Sequence, residues 1–276
     1  YIITGLFVGL QKTKTSSFAV GFFSILNILI SVVLVTKFDL NIKGVAYGTF
    51  FSALITSIIF LIYTFWYLSK YAKIEIKFGQ ILNLKKINDI FNINLNIFIR
   101  TILLTFSFLW FTYLGTKIGE DYVAANAILI NLVFLSAFIL DAYAFSTEGI
   151  VGYSLGKKDL TLFKNIVRNS FILSSISGLI ISIIFFFTNN FVINFMSDID
   201  EIRKLSSSYV IWLIILPVIS SFCYQFDGIF IGASQTKELR NAMIFSVLVY
   251  LLISIFLIKF LFNTGIWISL CIFMIL

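Results

Sequence analysis

Four charged side chains fall inside segments that are otherwise long and apolar: Arg100, Asp141, Glu148 and Asp227. On insertion scales a charge in hydrocarbon is unfavourable by roughly 2.5–3.5 kcal/mol, so each is expected to face a helix bundle or a water-filled cavity. Carboxylates in such places can carry protons or hold cations. Asp141 and Glu148 are seven residues apart, which puts them on one face of a helix, two turns from each other. Asn88, Asn92, Asn96 and Arg100 recur every four residues and form a slowly drifting polar stripe on another helix. The pattern suits a proton or substrate relay. It suits equally a structural ion pair between two helices, or charges close enough to the membrane surface to be hydrated. Because an unpaired guanidinium in hydrocarbon is costly, Arg100 is expected to sit near Asp141 or Glu148.

Other chemistries lack their parts. The chain has no His, and Cys223 and Cys271 lie inside apolar spans, so neither a Cys/His metal site nor a disulfide framework is available. There is no Ser/Lys or paired-Asp catalytic motif and no Walker-type phosphate loop, which argues against an intramembrane enzyme and against an ATP-driven pump. No metal and no cofactor is expected. Pro217, the one proline, lies in the middle of an apolar run; it removes a backbone hydrogen bond, should kink its helix and is a hinge candidate. Tyr67, Tyr71 and Trp110 lie near predicted helix ends and read as interfacial anchors.

The elements that position these residues follow from composition. Of 276 residues, 60% are hydrophobic and 12% charged, against roughly a quarter charged in soluble domains. Uncharged runs cover 15–36, 44–69, 169–197, 205–226, 241–258 and 260–276, and apolar spans with isolated charges cover about 90–114 and 122–152. A helix needs ~20 apolar residues to cross a bilayer, and these runs are apolar all round rather than alternating, which excludes a barrel. The fold class is therefore all-α integral membrane, with the lipid bilayer as its partner.

The net charge of +7 has a topological origin. Thirteen of the 20 basic residues lie in alternate loops, near 12–14, 70–86, 157–168 and 237–240. These loops are cytoplasmic by the positive-inside rule. No basic helix or basic–aromatic alternation points to nucleic acid.

Residues 5–14 read GLFVGLQKTK and residues 228–237 read GIFIGASQTK. Both stretches fall at the cytoplasmic end of an apolar helix, and Gly44-Val45 and Gly265-Ile266 open the second helix after each copy. The halves are expected to be parallel repeats related by an axis along the membrane normal. The second half counts six helices: about 90–114, 122–152, 166–187, 206–233, 241–262 and one from 265. By repetition the first half also has six, of which the chain holds the end of the fourth, the fifth and the sixth. The domains are then 1–69, the last part of the first lobe; 70–87, a cytoplasmic linker; and 88–276, the second lobe. Asp227 has Thr4 as its first-half counterpart, so the copies differ where a charge matters.

Three stretches choose among transporter families: GEDYVAANAILINLVFLSAFILDAYAFSTEGIVGYSLGKKD (119–159), QFDGIFIGASQTKELRNAM (225–243) and NIFIRT (96–101). In order and topology they resemble the multidrug and toxic compound extrusion (MATE) family, in its DinF-like branch. The resemblance implies a 12-helix fold of two six-helix lobes, of which this chain is a fragment from the end of helix 4 into helix 12. It implies a monomeric secondary antiporter in a bacterial plasma (inner) membrane. Such a protein expels small organic, often cationic, compounds in exchange for H+ or Na+ by rocking its lobes. It also implies a first-lobe cation site, combining an acid on the first helix with an Asn and an Asp one turn apart on the fifth and a Thr on the sixth. Asn27 and Thr49 match that pattern, whereas Ser31 stands where the Asp would be. Losing that carboxylate favours H+ over Na+ as the coupling ion. Asn27 and Thr49 could instead simply join two helices by hydrogen bonds. A lipid-linked sugar flippase or polysaccharide exporter of the same superfamily is the alternative; it would want several basic residues in the cavity, and only Arg100 lies within the membrane.

Overall fold

A computed structural model describes residues 2–72 and 84–276. The helices are α1 (Ile2–Gly9), α2 (Thr13–Thr36), α3 (Asn41–Tyr67), α4 (Leu84–Thr116), α5 (Glu120–Gly156), α6 (Leu160–Met196), α7 (Asp200–Ser208), α8 (Val210–Gly232) and α9 (Thr236–Ile275). A π-helical turn, Leu68–Ala72, follows α3. Seven of these helices are long and apolar enough to cross a membrane. The chain divides into two compact units, residues 1–84 and 85–276. Most of the expected linker, 73–83, lies outside the described residues.

The helices outrun the apolar segments that predict them. α6 continues to Met196, nine residues past its expected end, because Thr188, Asn189 and Asn190 do not interrupt the backbone ladder. Its 37 residues span about 55 Å, more than a ~30 Å hydrocarbon core. The expected helix over 206–233 is two elements. α7 carries the acidic start Asp200-Glu201, and Arg203 folds back to donate to the Ser197 carbonyl at 2.6 Å.

In the first unit α2 and α3 pack antiparallel, and Phe7 of α1 is buried against Tyr63 and Tyr67, with ring centroids 5.7 and 5.6 Å away. In the second, α8 is the central helix, lying between α5 and α6 and against α9. Glycines set these approaches. A Cβ on Gly228 would collide with the Ala144 carbonyl, one on Gly232 would lie 2.5 Å from the Glu148 carbonyl oxygen, and one on Gly178 would lie 2.7 Å from that of Pro217. Such backbone contact is the usual basis of helix association in lipid, where apolar area alone gives no preference for protein over acyl chain. Ser174 and Ser182 of α6 then donate to α8 carbonyls, those of Ser221 (3.3 Å) and Ile214 (2.5 Å).

The repeated decapeptides adopt one turn. Gln11 and Ser234, 223 positions apart, have φ of 59° and 58°. The Gln11 and Lys12 amides donate to the carbonyls of Val8 and Phe7; those of Ser234 and Gln235 donate to Ile231 and Phe230, the equivalent residues. The next turns correspond too. Asp39 and Phe262, again 223 apart, have φ of 50° and 48°. Gly44 then abuts the Leu34 backbone and Gly265 that of Leu257, its counterpart. The expected break between helices at 262–265 is thus present as a kink at Phe262 within α9.

Candidate functional site

In the first unit, α2 and α3 bring Asn27, Ser31 and Thr49 together. Asn27 Nδ2 donates to Thr49 Oγ1 at 3.2 Å, Ser31 Oγ donates to Asn27 Oδ1 at 3.2 Å, and Thr49 Oγ1 donates to the Val45 carbonyl at 3.1 Å. Gly48 makes this possible, because its Cα lies so close to Ser31 that a Cβ would strike both the hydroxyl and the backbone. The group offers amide and hydroxyl oxygens and no carboxylate.

In the second unit Arg100 is held differently from the expectation. Its Nη2 donates to Asp227 Oδ2 in a direct ion pair, joining α4 to α8 rather than to α5. The polar stripe explains why. Asn96, one turn before Arg100, donates to Thr236 Oγ1 (3.3 Å) and accepts from Arg240 Nη1 (2.8 Å), both at the start of α9. Trp110 on the same helix donates to Ser254 Oγ at 2.9 Å. α4 is therefore bonded along its length to α8 and α9, and helix order along the chain was a poor guide to its neighbours. Trp110 is accordingly half-buried against α9. Asp141 is still within electrostatic reach of the guanidinium, whereas Glu148 makes no ion pair among the described residues. The shared helical face of the two acids does not bring both to Arg100.

Arg100 and Asp227 form one wall of a cavity of about 440 Å³ bounded by α4, α8 and both arms of α9. The rest of the wall is mostly apolar, with Phe222, Phe226, Phe230 and Met243 prominent and Glu238 the other acid. Pro217 is buried, and α8 runs through it as one helix with its carbonyl against Gly178; the backbone departure from helical angles falls at Phe262 instead. Asn88 and Asn92 are exposed at the start of α4.

Two buried polar links escaped the sequence reading. Asn126 and Asn263 exchange side-chain hydrogen bonds at 2.6 and 3.0 Å, and Trp267 Nε1 donates to Asn126 Oδ1 at 2.9 Å. Thr147 donates to Gln225 Oε1 at 2.9 Å. These residues lie in mostly apolar helices, and nothing in the sequence shows which partners face each other across 137 or 78 positions. Asn263→Leu would leave Asn126 Nδ2 without its acceptor and is expected to destabilise the second lobe by about 1–2 kcal/mol. Denaturant unfolding of the purified protein reads this directly.

Seven helices long and apolar enough to cross a membrane among the described residues define a polytopic membrane protein. The signature of the MatE family matches residues 97–257. The chain belongs to that family. It is 28% identical over 276 residues to DNA damage-inducible protein F of Escherichia coli (strain K12), covering 99% of this chain and 59% of that protein. It is 25% identical over 225 residues to the multidrug export protein MepA of Staphylococcus saprophyticus, covering 81% of this chain and 48% of that one. The fold matches the Vibrio cholerae MATE transporter VcmN, crystallised as a mutant, with a TM-score of 0.86 at 18% identity over 98% of this chain and 61% of the other. The chain thus spans about 59% of the length of its Escherichia coli relative. The DinF-like motifs read from the sequence agree with that similarity.

Proposed function

We propose that the intact protein is a secondary antiporter that exports small organic, often cationic, compounds across a bacterial inner membrane in exchange for H+. Membership of the MatE family across 97–257 carries this reading. In it the two lobes rock between inward-open and outward-open states as a monomer. The 440 Å³ apolar cavity in the second unit supports an organic solute. Its single basic wall residue, Arg100, gives no support to a phosphate-bearing lipid-linked sugar.

H+ is favoured over Na+ by the first-unit cluster. Na+ requires oxygen ligands with enough negative charge to offset dehydration. Asn27, Ser31 and Thr49 supply neutral oxygens only. Transport by the intact protein in vesicles is therefore expected to follow an imposed proton gradient, and Ser31→Asp should raise Na+ affinity by about tenfold or more. Wild-type transport driven by a Na+ gradient, with the proton gradient collapsed, would overturn the assignment.

A further inference from the structure

The cavity of the second unit has three charged residues in its wall, Arg100, Asp227 and Glu238. Two of them satisfy each other, since Arg100 Nη2 donates to Asp227 Oδ2. Glu238, in the first turn of α9, has no ion pair or side-chain hydrogen bond among the described residues. Its neighbours in sequence do not supply one. Arg240 donates through Nη1 to Asn96 Oδ1 at 2.8 Å and through Nε and Nη2 to Asn241 Oδ1 at 3.2 and 2.8 Å. Neither Arg240 nor the exposed Lys237 lines the cavity. Their charges offset that of Glu238 at a distance, so selection by charge has to act at contact, inside the wall.

The rest of the wall places Glu238 at the end of an aromatic face. Phe222, Phe226 and Phe230 are four residues apart on α8 and share the side of it that lines the cavity. Phe171 of α6 packs on two of these rings, its centroid 6.0 Å from that of Phe222 and 5.0 Å from that of Phe226. Ala242 and Ser246, four and eight residues after Glu238, continue its face of α9 along the same cavity. Glu238 is itself exposed, so it stands where the cavity opens, beside the turn that joins α8 to α9. Aromatic rings suit an organic cation, and in this wall one unengaged carboxylate is there to meet its charge.

We propose that Glu238 is the carboxylate that selects for positive charge at this cavity: an organic cation lies with its apolar body along Phe222, Phe226 and Phe230 and its charge against Glu238, while Asp227 stays bonded to Arg100. The inference rests on the organic-solute reading above and adds to it a specificity-determining residue. Asp227 is the less suitable acceptor. A cation reaching it must displace the guanidinium or share its carboxylate, and breaking a buried pair is costly. Glu238 needs no such exchange. A contact between partly hydrated charges is also weak, which suits a site that has to release its cargo.

The test uses the intact protein in nanodiscs and measures binding of two aryl probes, the cation tetraphenylphosphonium and the neutral triphenylphosphine oxide. Glu238→Gln is expected to weaken tetraphenylphosphonium binding about three- to fivefold and to leave triphenylphosphine oxide unchanged. Glu238→Asp should recover part of the loss. Lys237→Gln, a change of charge outside the wall, should alter either affinity by no more than about twofold. Phe226→Leu should weaken the cation about threefold by removing a ring face from the same wall. An equal loss for both probes in Glu238→Gln marks a structural role, and no loss for the cation marks none; either result overturns the proposal and leaves the organic-solute reading standing. Cation binding unchanged in Phe226→Leu puts the site elsewhere and overturns it as well. Should wild type bind the neutral probe alone, Glu238 selects nothing and the proposal falls; should it bind neither, the organic-solute reading falls with it.

Discussion

Gly228→Ala is expected to destabilise the second lobe by about 3 kcal/mol, and Gly228→Leu to prevent its assembly. The reason is where the new atom would go. The Cβ would collide with the Ala144 carbonyl oxygen and lie 3.0 Å from both the carbonyl carbon and Cα. These atoms belong to the backbone of α5, which cannot turn aside as a side chain could. Relief would require α5 and α8 to separate, and with them would go the Thr147–Gln225 hydrogen bond one turn away, leaving Gln225 fully buried with neither amide atom bonded. Gly152→Ala makes the control, since its Cβ would meet only the Gly232 carbonyl oxygen at 3.4 Å, an ordinary contact. That variant should be within about 0.5 kcal/mol of wild type. Denaturant midpoints of the three proteins in one detergent provide the measurement. A Gly228→Ala midpoint equal to that of Gly152→Ala would refute the close packing of α5 on α8.

The glycines that revealed the repeat are the ones that set this contact, which shows how far the sequence could be read. GIFIG is legible twice, as half of a repeat and as small residues four apart on one helix face. The turns after the two copies share backbone angles and hydrogen bonds, because a turn is fixed by a few adjacent residues. Span number was legible for the same kind of reason: helix length in hydrocarbon is set by local composition. Asn27, Ser31 and Thr49 could be grouped because a family pattern supplied the pairing that spacing alone leaves open. The partner of Arg100 was not legible. Asp141, Glu148 and Asp227 are all acids in neighbouring helices, and the choice among them depends on the rotation and tilt of α4, which Asn96, Arg240, Thr236 and Ser254 fix through bonds over more than a hundred positions. The mutual pairing of Asn126 and Asn263 is hidden for the same reason. Helix ends were misjudged where polar residues such as Asn189 and Asn190 continue a helix beyond its apolar run.

Removing the carboxylate bonded to Arg100 is expected to be among the most damaging single changes in the second lobe. Breaking a buried ion pair by removing one partner typically costs about 3–5 kcal/mol, because the remaining charge is left without compensation. Asp227→Asn strands a guanidinium whose Nε already has no hydrogen-bond partner, and the full loss of about 3–5 kcal/mol is expected. Asp141→Asn leaves the bonded pair in place and should cost no more than about 1 kcal/mol. Adding Arg100→Met to Asp227→Asn removes the stranded cation and should restore most of the loss, since well-packed apolar groups serve as well as a buried pair. The coupling between the two positions is the quantity to measure, from denaturant midpoints of wild type, Asp227→Asn, Arg100→Met and the double variant. If Arg100→Met does not rescue Asp227→Asn, the ion pair is not what joins α4 to α8.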